Sequence, residues 1–264
     1  LFYRIGGSPS FPPAIEAHES LLTLAYSAQG DIELVGTNYH LSKDERLLLF
    51  RGIRPASEVL ALECRILPPP SAASGAANAS FIDATIPSAA FMSVQHLATL
   101  QPEPILLVDL YNVLYTIISY LSGKSVFIAN DGLARDIGAF HGKAAQKRHL
   151  VRAMEMFAEV CLAAFPGFSV HLFLDAPVSE SAGHKAMLET LFADHAAACR
   201  ATKVQAELLP SADYGLAHAE SGILCTSDSA ILAASSLAIL DLPRYILEST
   251  FRTRLEHIQD FQTQ

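Results

Sequence analysis

From residue 105 onward the chain places short, unbroken apolar runs at intervals long enough for a helix, and few folds accept that pattern. The runs are Ile105–Val108, Val126–Ala129, Val170–Leu174, Val204–Leu209, Ile223–Thr226 and Leu237–Leu240, with helices expected from the first run to Leu121 and over about 143–165 and 182–199. A short continuous apolar run suits a strand covered on both faces, and strands alternating with helices build a mainly parallel sheet with right-handed crossovers. The expected class is α/β: a three-layer, Rossmann-like arrangement over residues 103–250, preceded by a small helical domain.

That helical domain is expected over 12–67. Pro12 and Pro13 open an apolar-periodic stretch through Leu21, Leu22 and Leu24, with Gly30 as its stop. Ser42-Lys-Asp-Glu45 is a capping-box pattern, so a second helix starts at Ser42. Residues 68–102 begin with Pro68-Pro-Pro-Ser and continue through small residues without periodicity, as a linker or surface loop does. Residues 251–264 are left as a C-terminal helix or tail.

Composition narrows the class. Hydrophobic residues make up 51% and charged residues 17%, which is globular. A net charge of −9 gives no global attraction to nucleic acid, so any such contact must be local or bridged by metal. Cys64, Cys161, Cys199 and Cys225 form no C-x-x-C pair and read as reduced, mostly buried thiols. The longest apolar run, Ile105–Leu121, carries Asp109 and Asn112 and is shorter than the roughly 20 clean residues of a membrane span. The chain begins at Leu1, so its start says little about a signal peptide, and the cytoplasm is the expected compartment.

Ligands of open α/β sheets sit beyond the carboxyl ends of the strands. Those ends are acidic here: Asp109 closes the first run, Asp131 lies two residues past the second, Asp175 closes the third and Asp228 lies two past Thr226. Clustered carboxylates repel unless a cation neutralises them, and a hard ion such as Mg²⁺ or Mn²⁺ takes oxygen ligands of this kind. The competing reading for each Asp is a helix N-cap. Asn112 either caps the next helix or holds the Asp109 carboxylate. Thr226 and Ser227 place a hydroxyl and backbone N–H groups where a phosphate would lie. Arg135 and Lys143 are candidate phosphate contacts, and Asp136 is either a further metal ligand or the salt-bridge partner of Arg135, with the salt bridge favoured. Ser179 lies in a substrate-facing or structural loop after Asp175. Lys43, Arg46, Arg51 and Arg54 leave two roles open for the N-terminal helices: a nucleic-acid reader, or a packing and dimerisation unit. His141, His149, His184 and His195 form no zinc pattern.

The segments Val-Asp109-Leu-Tyr-Asn112 and Cys-Thr-Ser-Asp228-Ser resemble motifs of PIN-like nucleases. Asn-Asp131-Gly-Leu-Ala-Arg-Asp136 and Phe-Leu-Asp175-Ala-Pro-Val-Ser-Glu-Ser more closely resemble a family of PIN-like proteins known as domains of unknown function. In that family the PIN-like part follows a helical unit similar to the stretch around Leu34–Arg46. The resemblance implies metal-dependent cleavage of RNA or single-stranded nucleic acid by Asp109, Asp175 and Asp228, with Asp131 as a further metal ligand. The chain departs from the pattern in having Asn130 before Asp131 and no counterpart to the middle acid. Those departures favour the alternative of a noncatalytic PIN-like module holding nucleic acid, a nucleotide or a protein partner. A phosphatase acting on a small molecule ranks last, because Asp175-Ala-Pro lacks the second Asp of a D-x-D site.

Overall fold

The computed structural model describes residues 8–24, 27–68, 94, 103–138, 143–196 and 203–263. Four helices come first: α1 (Phe11–Thr23), α2 (Ala28–Asn38), α3 (Lys43–Gly52) and α4 (Ala56–Glu63). The capping box forms as expected: Glu45 N donates to Ser42 Oγ at 3.2 Å and Ser42 N to Glu45 Oε2 at 2.8 Å. Gly30 does not end a helix. The first helix stops at Thr23, and Gly30 lies in the first turn of α2, where its N–H is capped by Ser27 Oγ at 3.2 Å. Of the proposed linker, residues 69–102 apart from Val94 lie outside the described residues.

The α/β part runs β1 (Ile105–Asp109), α5 (Leu110–Leu121), β2 (Val126–Ile128), β3 (Ala134–Asp136), α6 (Lys143–Ala164), β4 (Ser169–Asp175), α7 (Ser181–Ala196) and β5 (Lys203–Leu209). It continues with α8 (Ala212–Ala217), β6 (Ile223–Cys225), α9 (Ser229–Ala234), β7 (Ala238–Ile239) and α10 (Leu242–Phe251), and a 3₁₀ turn, Ile258–Thr263, closes the chain. Five strands form one parallel sheet in the order β5-β4-β1-β6-β7. Alternation within β1 shows why three layers result. Leu106 and Val108 face a core with α5, α6, α7 and α10, while Leu107 faces a smaller cluster with Leu216 of α8 and Ile231 of α9.

The Val126 run is a strand, but it is not in this sheet. β2 pairs antiparallel with β3 as a hairpin, with Gly132 (φ +83°) in the turn. Asn130-Asp-Gly132 between apolar residues is a hairpin signal, and a short apolar run alone cannot reveal which kind of sheet it joins. The hairpin instead completes the core of the helical unit: Phe127 and Ala129 pack with Phe11, Ile15, Leu48, Leu49 and Ile53, and Ile258 joins them from the C-terminal turn. A side chain at Gly52 would run into Ile258 and Phe127, so α3 approaches the hairpin this closely only because Gly52 has none. Asn130 fixes the same junction, accepting from Arg54 N at 2.9 Å and donating through Nδ2 to Arg54 O at 3.0 Å.

No helix among the described residues is long and apolar enough to cross a membrane. Cys161 and Cys225 are buried free thiols and Cys64 is an exposed one. Cys199 lies outside the described residues.

Candidate functional site

Chain order along the sheet reverses at β1. From β1 the path moves outward to β4 and β5, then returns to β6 on the other side of β1. A crevice at the carboxyl end of such a reversal is where open α/β sheets place their ligands, because the loops there diverge to opposite faces. Asp109 ends β1, and Thr226 and Asp228 follow β6, so these residues flank the crevice.

They are linked. Thr226 Oγ1 donates to Asp109 Oδ2 at 2.9 Å and accepts from Asp228 N at 3.1 Å. Asn112 Oδ1 accepts from both Ser227 N and Ser227 Oγ at 3.0 Å, bridging the start of α5 to the loop after β6. That bond engages the Ser227 N–H expected to meet a phosphate. Asp109 and Asp228 are also helix caps. Asp109 Oδ1 accepts from Asn112 N at 3.4 Å, and Asp228 Oδ1 from Ala230 N at 2.8 Å and Ile231 N at 3.3 Å. Asp175, at the end of the neighbouring β4, accepts from Ala212 N at 2.8 Å.

Burial disfavours the charged form of Asp109 and is the main cause of a pKa pushed up to about 7; the Thr226 and Asn112 hydrogen bonds oppose it, and the charges of Asp175 and Asp228 add to it. Three carboxylates therefore share one field, and no ion pair is formed by any of them among the described residues. Tyr111 and Tyr115 of α5 stack with ring centroids 5.7 Å apart, and their hydroxyls are pushed up by burial and by Asp175. Tyr111 Oη lies 3.0 Å from His184 Nδ1 of α7.

Asp131 stands apart from this cluster. It lies in the β2–β3 turn, not beyond a strand of the main sheet, and its two carboxylate oxygens take Arg135 Nη1 at 2.6 Å and Nη2 at 2.7 Å. Arg135 also donates to Ser227 O at 3.2 Å, so its guanidinium is committed to holding the hairpin against the site loop. Asp136 does not pair with Arg135. Adjacent strand residues point to opposite faces, and Asp136 meets Arg51 of α3 at 3.5 Å instead. Ser179 is exposed in the turn after β4, and the side chain of Lys143 lies outside the described residues, as do Phe140 and His141.

A groove of about 600 Å³ opens beside Asp228, lined by Asn112, Tyr115, Ser227 and Asp228 on the sheet side and by Phe50, Arg51, Arg54, Arg135 and Asp136 from α3 and the hairpin. Sequence reading did not find Tyr115, Phe50 or the helical wall of this groove, which are brought there only by tertiary packing. It also missed Asp241. That buried residue caps α10 through Arg244 N at 3.1 Å and accepts from Ala134 N at 2.7 Å.

Residues 99–245 match the model of a family described as a domain of unknown function, DUF5616, which covers more than half of the chain. The chain belongs to DUF5616. The matched segment of this DUF5616 protein contains Asp109, Asp175 and Asp228, every strand of the sheet and the hairpin, whereas Phe50, Arg51 and Arg54 lie before it. No curated protein and no solved structure matches the chain.

Among the described residues the crevice brings together carboxylate, hydroxyl and amide oxygens, the kinds of donor that a hard divalent ion takes. Among the described residues no three His, Cys, Asp or Glu side chains are close enough to hold one ion.

Proposed function

We propose that this protein is a divalent-metal-dependent hydrolase of phosphodiester bonds, acting on RNA or single-stranded nucleic acid as a PIN-like nuclease. The observation that carries this reading is Asp109 and Asp228, joined through Thr226 at the reversal of strand order. Asp109 and Asp228 would hold Mg²⁺ or Mn²⁺, and Asp175 would complete the field from the next strand. When bound, the ion supplies charge neutralisation at phosphorus and a water of lowered pKa.

The chain's own residues do the rest. Thr226 orients Asp109 and fixes the Asp228 backbone, so the two carboxylates keep one spacing. Asn112 holds the Ser227 loop in place. The groove supplies room for substrate beside Asp228. The test is cleavage of single-stranded and structured RNA by purified protein with Mn²⁺ or Mg²⁺, beside Asp109→Asn and Asp228→Asn. Loss of at least a hundredfold in both variants supports the reading, and equal residual activity in all three proteins overturns it.

A further inference from the structure

We infer that the C-terminal end of α3 and the turn after it, through Phe50, Arg51 and Arg54, are the strand-binding wall of the groove beside Asp228, and that this wall takes single-stranded nucleic acid in preference to duplex. The inference rests on the hydrolase reading for the chemistry of the substrate, but its own evidence is the composition of the groove.

Three guanidinium groups, of Arg51, Arg54 and Arg135, line the groove in a chain of net charge −9. Each is held by a carboxylate: Arg51 by Asp136 at 3.5 Å, Arg54 by Glu58 at 2.7 Å and Arg135 by Asp131 at 2.6 Å. Such pairing leaves donors over, because a guanidinium has five N–H groups and Arg54 gives only Nε and Nη2 to Glu58. The basic residues of α3 and the turn after it are not equivalent. Arg46 turns inward, donating to Leu41 O at 3.2 Å and Ile32 O at 3.4 Å across Gly36, and does not line the groove. Only Arg51 and Arg54 face it.

Two aromatic side chains, Phe50 and Tyr115, line the same groove as the guanidinium groups and Asp228. Phe50 is 41% exposed, near the end of a helix in which Leu48 and Leu49 are buried and Leu47 is half-buried. A basic edge that tracks phosphates beside rings that stack on bases is how proteins hold single strands without reading sequence. About 600 Å³ falls within the roughly 300–1,000 Å³ of ligand pockets and has room for a short stretch of strand. Arg51, Arg54 and Asn130 also tie the groove wall to the hairpin, so this surface keeps its shape without substrate.

The test is fluorescence anisotropy of a labelled oligouridylate and of a duplex of equal length, at constant Mg²⁺ over a salt series. The full chain carries Asp109→Asn so that no cleavage competes; Asp109 does not line the groove. The single strand is expected to bind at least tenfold more tightly than the duplex. Arg54→Gln is expected to weaken binding three- to tenfold and to lower the slope of log K against log salt by about 0.7, the effect of one lost phosphate contact on a single strand. Phe50→Ala is expected to weaken binding at least fivefold with the slope unchanged. Lys43→Gln, on the same helix but off the groove, is expected to do neither. Equal binding of duplex, no binding of either probe, or equal effects of Lys43→Gln and Arg54→Gln would each overturn the inference. Strand binding as described, with no cleavage by the unsubstituted chain under any divalent ion, would sink the hydrolase reading and leave this one standing.

Discussion

Thr226 donates its hydroxyl hydrogen to a carboxylate oxygen of Asp109 at 2.9 Å, joining the end of β1 to the end of the adjacent β6 across the point where strand order reverses. One side chain thereby serves both acids, because the same oxygen accepts the Asp228 N–H. Thr226→Val keeps the shape and removes both bonds. Asp109 then loses the strongest interaction favouring its charged form, so its pKa rises further above about 7. The acidic limb of a pH–rate profile is expected to move to higher pH, with kcat at pH 7 reduced about tenfold or more; Thr226→Ser should restore both. An unmoved limb in the Val variant would show that the bond does not set the Asp109 proton.

Burial of Asp109 also makes stability depend on pH. Its folded-state pKa of about 7 lies above the usual 3.8, so between those values the native state binds more protons than the unfolded state. Stability of metal-stripped protein from this group is therefore complete below about pH 4 and is lost as pH rises to about 7. Asp241, pushed up to about 6 mainly by burial, acts with the same sign and stops contributing to the slope sooner. Denaturation midpoints in chelator are expected to decline between pH 6 and 7, and Asp109→Asn should flatten that interval. A wild-type and variant that decline in parallel would count against it.

Addition of Mn²⁺ at pH 7.5 is expected to reverse this penalty. Saturation a hundredfold above the dissociation constant adds about 2.7 kcal/mol, which for a chain of this size is about 5–10 °C in midpoint. Asp228→Asn should remove most of the shift and Asp131→Asn none, because Asp131 is already neutralised by Arg135. A metal-induced shift lost on Asp131→Asn would return that residue to the metal site.

The cost of disturbing Asp131 should appear in stability instead. Its side chain is 1% exposed and that of Arg135 is 9%, so Arg135→Met leaves a buried carboxylate with no counter-charge. Breaking one side of such a pair costs about 3–5 kcal/mol, and a double Asp131→Leu, Arg135→Met variant should recover much of that loss. Urea unfolding of Arg135→Met, of Asp131→Leu and of the double variant measures the difference, and additive losses would argue against direct pairing.

These two residues also show where sequence reading stops. Asp109, Asp175 and Asp228 were legible because a continuous apolar run followed by an acid needs only local pattern to be placed at a strand end. Asp131 satisfied the same pattern, yet the Asp-Gly turn folds its strand back as a hairpin, away from the sheet. Arg135 beside Asp136 invited a neighbour pairing that strand geometry forbids, while the pairing with Arg51 spans two units of the chain. The groove is illegible for the same reason: Phe50 and Tyr115 line it together only because α3 packs on the hairpin through the gap left at Gly52.

Asn130 stands where an acid is expected by resemblance, and its contacts assign it a different task. Its amide accepts from Arg54 N and donates to Arg54 O, a reciprocal pair that only Asn or Gln can make. Asn130→Asp keeps the acceptor and loses the donor, leaving the Arg54 carbonyl unpaired beside a new charge at the junction of α3 and the hairpin. The expected loss is about 1–3 kcal/mol. Because Arg54 belongs to the groove wall, strand binding should weaken with it, while metal-induced stabilisation should be unchanged. Thermal unfolding with and without Mn²⁺ separates the two roles: a variant that binds Mn²⁺ more tightly than the parent would make Asn130 a lost ligand position instead of a clamp.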